Sequence, residues 1–323
     1  MKYYKTIFIF ISYFSLFLNL IKGYELCNYI SHNKYKSLIN QYPEHKTKFE
    51  TLSQIPLPIW VTDRNPYVFD NLKDANNNCN DLVNVLIVYA LPNKDCEASF
   101  SSSGSNKNTQ DYLNYLNQLQ LIMGSKDVIY ILEPDAIALS LDNKCGIQNN
   151  YPNNIKTAID ILSQNPNAKL YIDIGYWVLI YGNEQVKKVI QLLNYIDSNN
   201  KLSGISLNLS NYRKTSEMIE ACNQFKAISG KNYNCIIDTS RNWNGPSSDN
   251  QWCNLISAGI GELPIKNPTA NIDYYLWLKP QSEIDGPCMG FSNSYQINKN
   301  AGDFDLNYLL KLWENGNPEL QKC

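Results

Sequence analysis

Seven short apolar runs recur along this chain, separated by segments with helical spacing, and this alternation leaves few folds open. The runs are Leu57–Val61, Val83–Ala90, Val128–Leu132, Lys169–Ile172, Gly204–Leu209, Tyr233–Ile237 and Tyr274–Leu278. Between them, apolar residues fall on helical spacing, as with Tyr112, Leu113, Leu116 and Leu119. Helices are expected near 67–75, 110–122, 153–164, 184–196, 215–227, 252–257 and 306–314, with an Asn-rich turn at 76–78. Residues 24–52 are polar with a helical flavour and carry both histidines, His32 and His45. Strands alternating with helices predict a parallel sheet with right-handed crossovers. Near-continuous apolar runs predict strands covered on both faces. Seven such units favour an α/β barrel, TIM-like and closed or nearly so, in a single domain. No Gly-x-Gly-x-x-Gly turn and no P-loop follows any run.

The amino end reads as an export signal. Lys2 and Lys5 precede an apolar run from Ile7 to Ile21, and cleavage is expected after Gly23. That run is short for a membrane span, and no second one follows. The expected organisation is a signal peptide at 1–23 and one domain at 24–323, secreted and free of the membrane after cleavage. Nine cysteines would then enter an oxidising compartment, where disulfides are the default. None lies in a Cys-x-x-Cys pair. The count is odd, and Cys323 is the expected unpaired thiol. A net charge of -2 without a basic, aromatic-interleaved run argues against nucleic acid as a partner.

Parallel β/α barrels place their chemistry at the carboxyl ends of the strands. Those ends carry Tyr89 and Asp95, Glu133 and Asp135, Asp173, Asn208 and Asn211, Asp238 and Arg241, then Lys279, Glu283 and Asp285. In an extended strand Glu133 and Asp135 share a face, and Pro134 between them marks the strand's end. With both histidines ahead of the first run, a nucleophilic triad or a histidine-bound zinc is disfavoured. A calcium or magnesium site made of carboxylates stays open as a second reading, although the acids do not follow a calcium-binding loop. The expectation is no metal and no cofactor. Paired carboxylates among 6 Trp and 23 Tyr fit glycoside hydrolysis best.

Six segments in register resemble glycoside hydrolase family 6, the cellulases built on a distorted seven-stranded β/α barrel. They are Val88-Tyr89-Ala90-Leu91-Pro92-Asn93-Lys94-Asp95-Cys96, Leu132-Glu133-Pro134-Asp135-Ala136-Ile137-Ala138, Asn208-Leu209-Ser210-Asn211-Tyr212, Ile237-Asp238-Thr239-Ser240-Arg241-Asn242, Trp252-Cys253-Asn254, and Trp277-Leu278-Lys279-Pro280 through Glu283-Ile284-Asp285-Gly286. The resemblance implies Asp135 as general acid and Asp95 as the carboxylate that keeps it protonated by like-charge repulsion. It implies Asp285 as the candidate base, or as an anion polarising a water chain, and Tyr89 as a residue pressing on a distorted sugar. Ser101 or Ser102 would orient water. Trp60, Asp173, Asn208, Asn211, Arg241, Trp252, Lys279 and Glu283 would contact substrate. Glu133 would be a buried support. Ala90 and Tyr176 depart from the family pattern, which has aspartate and histidine there, and loop 97–104 is one residue longer.

The resemblance also implies disulfides Cys96–Cys145 and Cys253–Cys288; Cys222 with Cys235 and Cys27 with Cys79 are further candidate pairs. Only Gly286 and Pro287 separate Asp285 from Cys288. Members of the resembled family that thread chains through a tunnel have a long loop here, so the resemblance implies an open cleft and attack on internal bonds. The expected activity is a monomeric endo-β-1,4-glucanase that cleaves cellulose or related glucans with inversion. With no separate cellulose-binding module in the sequence, soluble or loosely ordered β-1,4-glucan is the expected partner. The alternative is a catalytically inactive glycan-binding protein on the same fold. The sequon Asn208-Leu209-Ser210 is expected to stay unglycosylated.

Overall fold

All seven apolar runs become strands of one curled sheet. A computed structural model describes residues 25–79, 81–142, 144–180 and 182–322; the expected signal peptide and Cys323 lie outside these. The strands are β1 (Ile59–Val61), β2 (Asn84–Val88), β3 (Val128–Leu132), β4 (Ala168–Asp173), β5 (Gly204–Leu207), β6 (Asn234–Asp238), β7 (Ile265–Thr269) and β8 (Ile272–Leu276). Their spatial order is β1-β2-β3-β4-β5-β6-β8-β7. Every neighbouring pair is parallel except β7 with β8.

Period-two alternation sorts the strand residues into two layers. Val85, Ile87, Ile129, Ile131, Tyr171, Ile236, Tyr274 and Leu276 fill the inside of the curl. Leu86, Val88, Tyr130, Leu132, Leu170, Ile172, Ile205 and Leu207 face the surrounding helices. Those helices are α1 (Tyr29–Gln41), α2 (Lys46–Ser53), α3 (Val68–Asn78), α4 (Thr109–Met123), α5 (Ala136–Leu139), α6 (Cys145–Gln148), α7 (Tyr151–Leu162), α8 (Trp177–Ile180), α9 (Asn183–Ile196), α10 (Thr215–Ser229), α11 (Leu306–Glu314) and α12 (Pro318–Gln321). No helix among the described residues is long and apolar enough to cross a membrane.

Helix α4 shows how local sequence builds one wall. Asn108 caps it by accepting from the N–H groups of Gln110 and Asp111, and Gly124 ends it at φ 56°. Tyr112, Leu116 and Leu119 are fully buried against the sheet. Each contributes about 1.5–3 kcal/mol of burial, so Leu116→Ala would cost about 2–5 kcal/mol.

Among the described residues no ladder joins β1 to β7 or β8, so the curl is not closed there by strand pairing. Trp60 crosses the seam with its indole N–H, which donates to Leu278 O at 3.0 Å. Behind it a separate apolar cluster packs Tyr35, Phe49, Leu52, Trp277, Tyr308 and Leu312. The polar amino-terminal segment and the closing helix thus stand where another β/α unit would complete a barrel. β7 is the added edge strand. It is short, exposed and contains Pro268, and a proline is tolerated only where no ladder donor is needed.

Two local expectations change. Asn76–Asn78 are the last turn of α3, not a loop, and Asn76 is buried with its amide donating to Ile122 O. Residues 252–257 form no helix; Leu255 pairs instead in an isolated bridge with Ser294.

Candidate active site

The polar rim is assembled by backbone that leaves the strands in unusual conformations. Asp95, Glu133, Asp135 and Asn208 all have positive φ, between 44° and 67°. Such a turn breaks the alternation that sequence reasoning applies to a strand end. Glu133 and Asp135 therefore do not share a face as expected. Glu133 turns toward the helical layer. It accepts from Tyr112 Oη at 2.7 Å, from Ala90 N at 3.2 Å and from Leu91 N at 3.3 Å. Burial pushes its carboxyl up to about 7, against the pull of those three donors.

Asp135 faces the rim. It stands at the N-cap position of the short α5 with its side chain making no capping bond, and its own N–H donates to Asp173 Oδ2 at 2.9 Å. Burial, then the nearby charges of Asp95 and Glu97, push its carboxyl up to about 7. Asp95 is also raised, first by burial, while the N–H groups of Ser101, Phe100 and Ser99 and the charge of Arg64 restrain it. Ser101 N donates to Asp95 Oδ2 at 2.6 Å. Ser102 is turned away, its hydroxyl donating to Ser99 O. Asp173 is buried; desolvation and the adjacent Asp135 hold it well above the usual carboxylate range.

Asp285 is held in the opposite state. Its Oδ2 accepts from Arg241 Nη1 at 3.0 Å, Asn254 N at 3.0 Å and Tyr212 Oη at 3.1 Å. Lys279 Nζ lies 3.7 Å from Oδ1. Burial pushes this carboxyl up, but the Arg241 and Lys279 charges outweigh it and the group sits below its ordinary value. Arg241 is itself fully buried, over the Tyr212 ring at 4.7 Å, and also bonds Ser210 O.

The aromatic walls stand at either side. Tyr89 meets Trp60 edge-on at 5.8 Å, and Lys279 Nζ lies 5.8 Å from the centre of the Trp60 ring. Trp252 is exposed between Phe100 and Phe291, at 5.8 and 5.7 Å. Disulfides brace both walls. Cys96–Cys145 ties the loop after Asp95 to α6, and Cys253–Cys288 ties the Trp252 loop to the one after Asp285. Cys27–Cys79 and Cys222–Cys235 are bonded as well.

Other expected contact residues also bond within the fold. Asn208 is buried, donating to the carbonyls of Arg213 and Asp238, which leaves no room for a glycan on the sequon. Asn211 bonds Leu209 O, and Glu283 is ion-paired to Lys34 of α1. Ala90 is buried in the helical layer, so its departure from the family pattern points away from the rim. Tyr176 packs edge-on with Trp177 and under Arg213.

Sequence reasoning missed a buried pair behind the rim. Lys94 and Asp63 form an ion pair, and Asp63 Oδ2 also accepts from Asn106 N at 2.8 Å. Lys94 donates to Ser103 O at 2.7 Å, so the pair clamps loop 97–106 to the ends of β1 and β2. The only signal was a lysine just after the apolar run 88–92, between Asn93 and Asp95. Among the described residues, no group of three or more His, Cys, Asp or Glu is arranged to hold a metal ion.

Comparison with known proteins decides the family. Residues 27–316 match the model of "Glycosyl hydrolases family 6". The chain belongs to this family. Endoglucanase A of Thermobispora bispora is 30% identical to this family 6 chain over 209 residues, 62% of this chain and 44% of that relative. The chain thus spans less than half the length of that relative. The 1,4-beta-D-glucan cellobiohydrolase C of Emericella nidulans is 27% identical, covering 72% of this chain and 61% of that protein. Among solved structures, a family 6 enzyme from Orpinomyces superposes with a TM-score of 0.79 at 25% identity, over 93% of this chain and 98% of that one. The Mycobacterium tuberculosis endoglucanase Cel6, in complex with methyl-cellobiosyl-4-deoxy-4-thio-beta-D-cellobioside, gives 0.70 at 27%, covering 83% and 89%.

Proposed function

We propose that this family 6 chain is a secreted, monomeric endo-β-1,4-glucanase that hydrolyses cellulose or related glucans with inversion. The observation that carries this reading is the opposite protonation of two rim carboxyls. Asp135 is raised to about 7, whereas Asp285 is held ionised by Arg241 and Lys279. An acid with such a value still carries its proton on a substantial fraction of molecules at neutral pH, and donates it to the leaving glycosidic oxygen. Asp95 keeps that proton in place by its own charge.

Asp285 is suited to a different task. A carboxylate already bound by a guanidinium and two other donors is a weak base. It serves better as a fixed anion that polarises a water chain, along which the attacking water's proton passes to solvent, and that offsets positive charge developing on the anomeric carbon. Ser101, beside Asp95, is the better placed of the two serines to orient that water. Tyr89 presses on the reacting sugar, and Trp60, Trp252 and Lys279 line its neighbours. Asp173 and Arg241 position the acid and the anion instead of touching substrate.

Internal attack is supported by the short link from Asp285 to Cys288, tied back to Cys253. Four disulfides and the apolar amino end support action outside the cell. The test is incubation with carboxymethylcellulose and with a defined oligosaccharide across pH 4–7. Reducing ends, a rapid fall in viscosity and an inverted first-formed anomer are expected. Binding without new reducing ends would instead indicate an inactive glycan-binding protein, and a retained anomer would exclude this mechanism.

A further inference from the structure

A cleft of about 500 Å³ lies beside the carboxylate cluster, lined by Thr62, Arg64, Asn65, Phe100, Asn300 and Asp303 among others. It is a groove open to solvent, which suits a stretch of chain lying across it better than an enclosed ligand. It begins where β1 ends. Thr62 is two residues past Trp60, a step of about 6.8 Å along an extended chain, so the cleft continues the aromatic wall. Its far side is the 300–303 loop, joined to the near side by Arg64 Nη2 donating to Ala301 O at 3.3 Å.

The lining chemistry selects a class of ligand. A guanidinium and a carboxylate, two carboxamides, a hydroxyl and one aromatic face offer donors and acceptors in balance. An anion would meet Asp303, and an apolar group would strand the polar atoms. A neutral polyol satisfies both. The Arg64 charge also reaches the catalytic side, where it helps to restrain the Asp95 carboxyl. We propose that this cleft is an outer glucosyl subsite, in which Arg64 donates to hydroxyls of the glucan as it runs past Trp60. The proposal rests on the glucanase reading and extends it to chain-length preference.

The probes are β-1,4-gluco-oligosaccharides of four and six residues. In Arg64→Ala, the six-to-four ratio of kcat/KM falls by roughly tenfold, the weight of one charge-assisted hydrogen bond. Asn300→Trp, which fills the cleft from an exposed position, lowers the same ratio and decides the matter if Arg64→Ala does not fold. An unchanged ratio in Asn300→Trp overturns the proposal while leaving the glucanase reading intact. If the wild-type chain cleaves neither probe, the glucanase reading fails, and calorimetric titration of the six-residue probe decides the subsite. Weaker binding to Asn300→Trp than to wild type supports it, and equal binding refutes it.

Discussion

The N–H of Asp135 is anchored on Asp173 Oδ2 at 2.9 Å, so one buried acid at the end of β4 fixes the backbone of another after β3. Desolvation and the adjacent Asp135 push the Asp173 carboxyl well above its ordinary range. Asp173→Ala releases this anchor. A reacting group displaced by about 1 Å loses on the order of 10²-fold in rate. Steady-state kinetics should show that loss in kcat with KM little altered, and an equal loss in both would contradict a positioning role.

Asp95→Asn tests the like-charge pair. The Asp95 charge helps hold Asp135 up to about 7, so its removal lowers that value. The protonated form is the working one, and the alkaline limb of the pH–rate profile therefore moves to lower pH, by about one unit. A limb that stays in place would remove Asp95 from this role.

Arg241→Met acts on the other limb. Arg241 and Lys279 hold Asp285 below its ordinary value, so deleting the guanidinium raises it. Activity then needs a higher pH before Asp285 ionises, and the acid limb shifts upward by about one unit or more. The buried partner is left under-compensated, at a cost of about 3–5 kcal/mol, which thermal unfolding would report.

Glu133→Gln addresses stability. Burial raises Glu133 from 4.5 to about 7 in the folded chain. Between those values the folded state binds more protons than the unfolded one, so this contribution is full below pH 4.5 and is lost as pH rises through 7. The shift corresponds to on the order of 3 kcal/mol. Urea unfolding at pH 5 and pH 8 should show a smaller pH-dependent loss in Glu133→Gln than in wild type.

The parallel strands were legible because most of their residues are buried and leave short apolar runs, fully so in β2 and β3 and on alternate residues in β8. β7 was not, since Ile265-Lys266-Asn267-Pro268-Thr269 lies exposed at an edge and needs no such run. The rim was legible as a set of residues but not as a set of directions. Asn208 and Glu133 follow strands, yet their positive φ turns both side chains toward backbone groups. The Asp63–Lys94 clamp joins positions 31 residues apart, and neither residue announces its partner locally.

Trp60 does two jobs with one ring. The ring stands beside Tyr89 and Lys279 at the rim, while its N–H to Leu278 O is a direct link across the open seam. Altering ligand preference at position 60 therefore also unfastens the scaffold. A mutant library at this site would shed folded members before it yielded new selectivities, unless a second change first stitched β1 to β8.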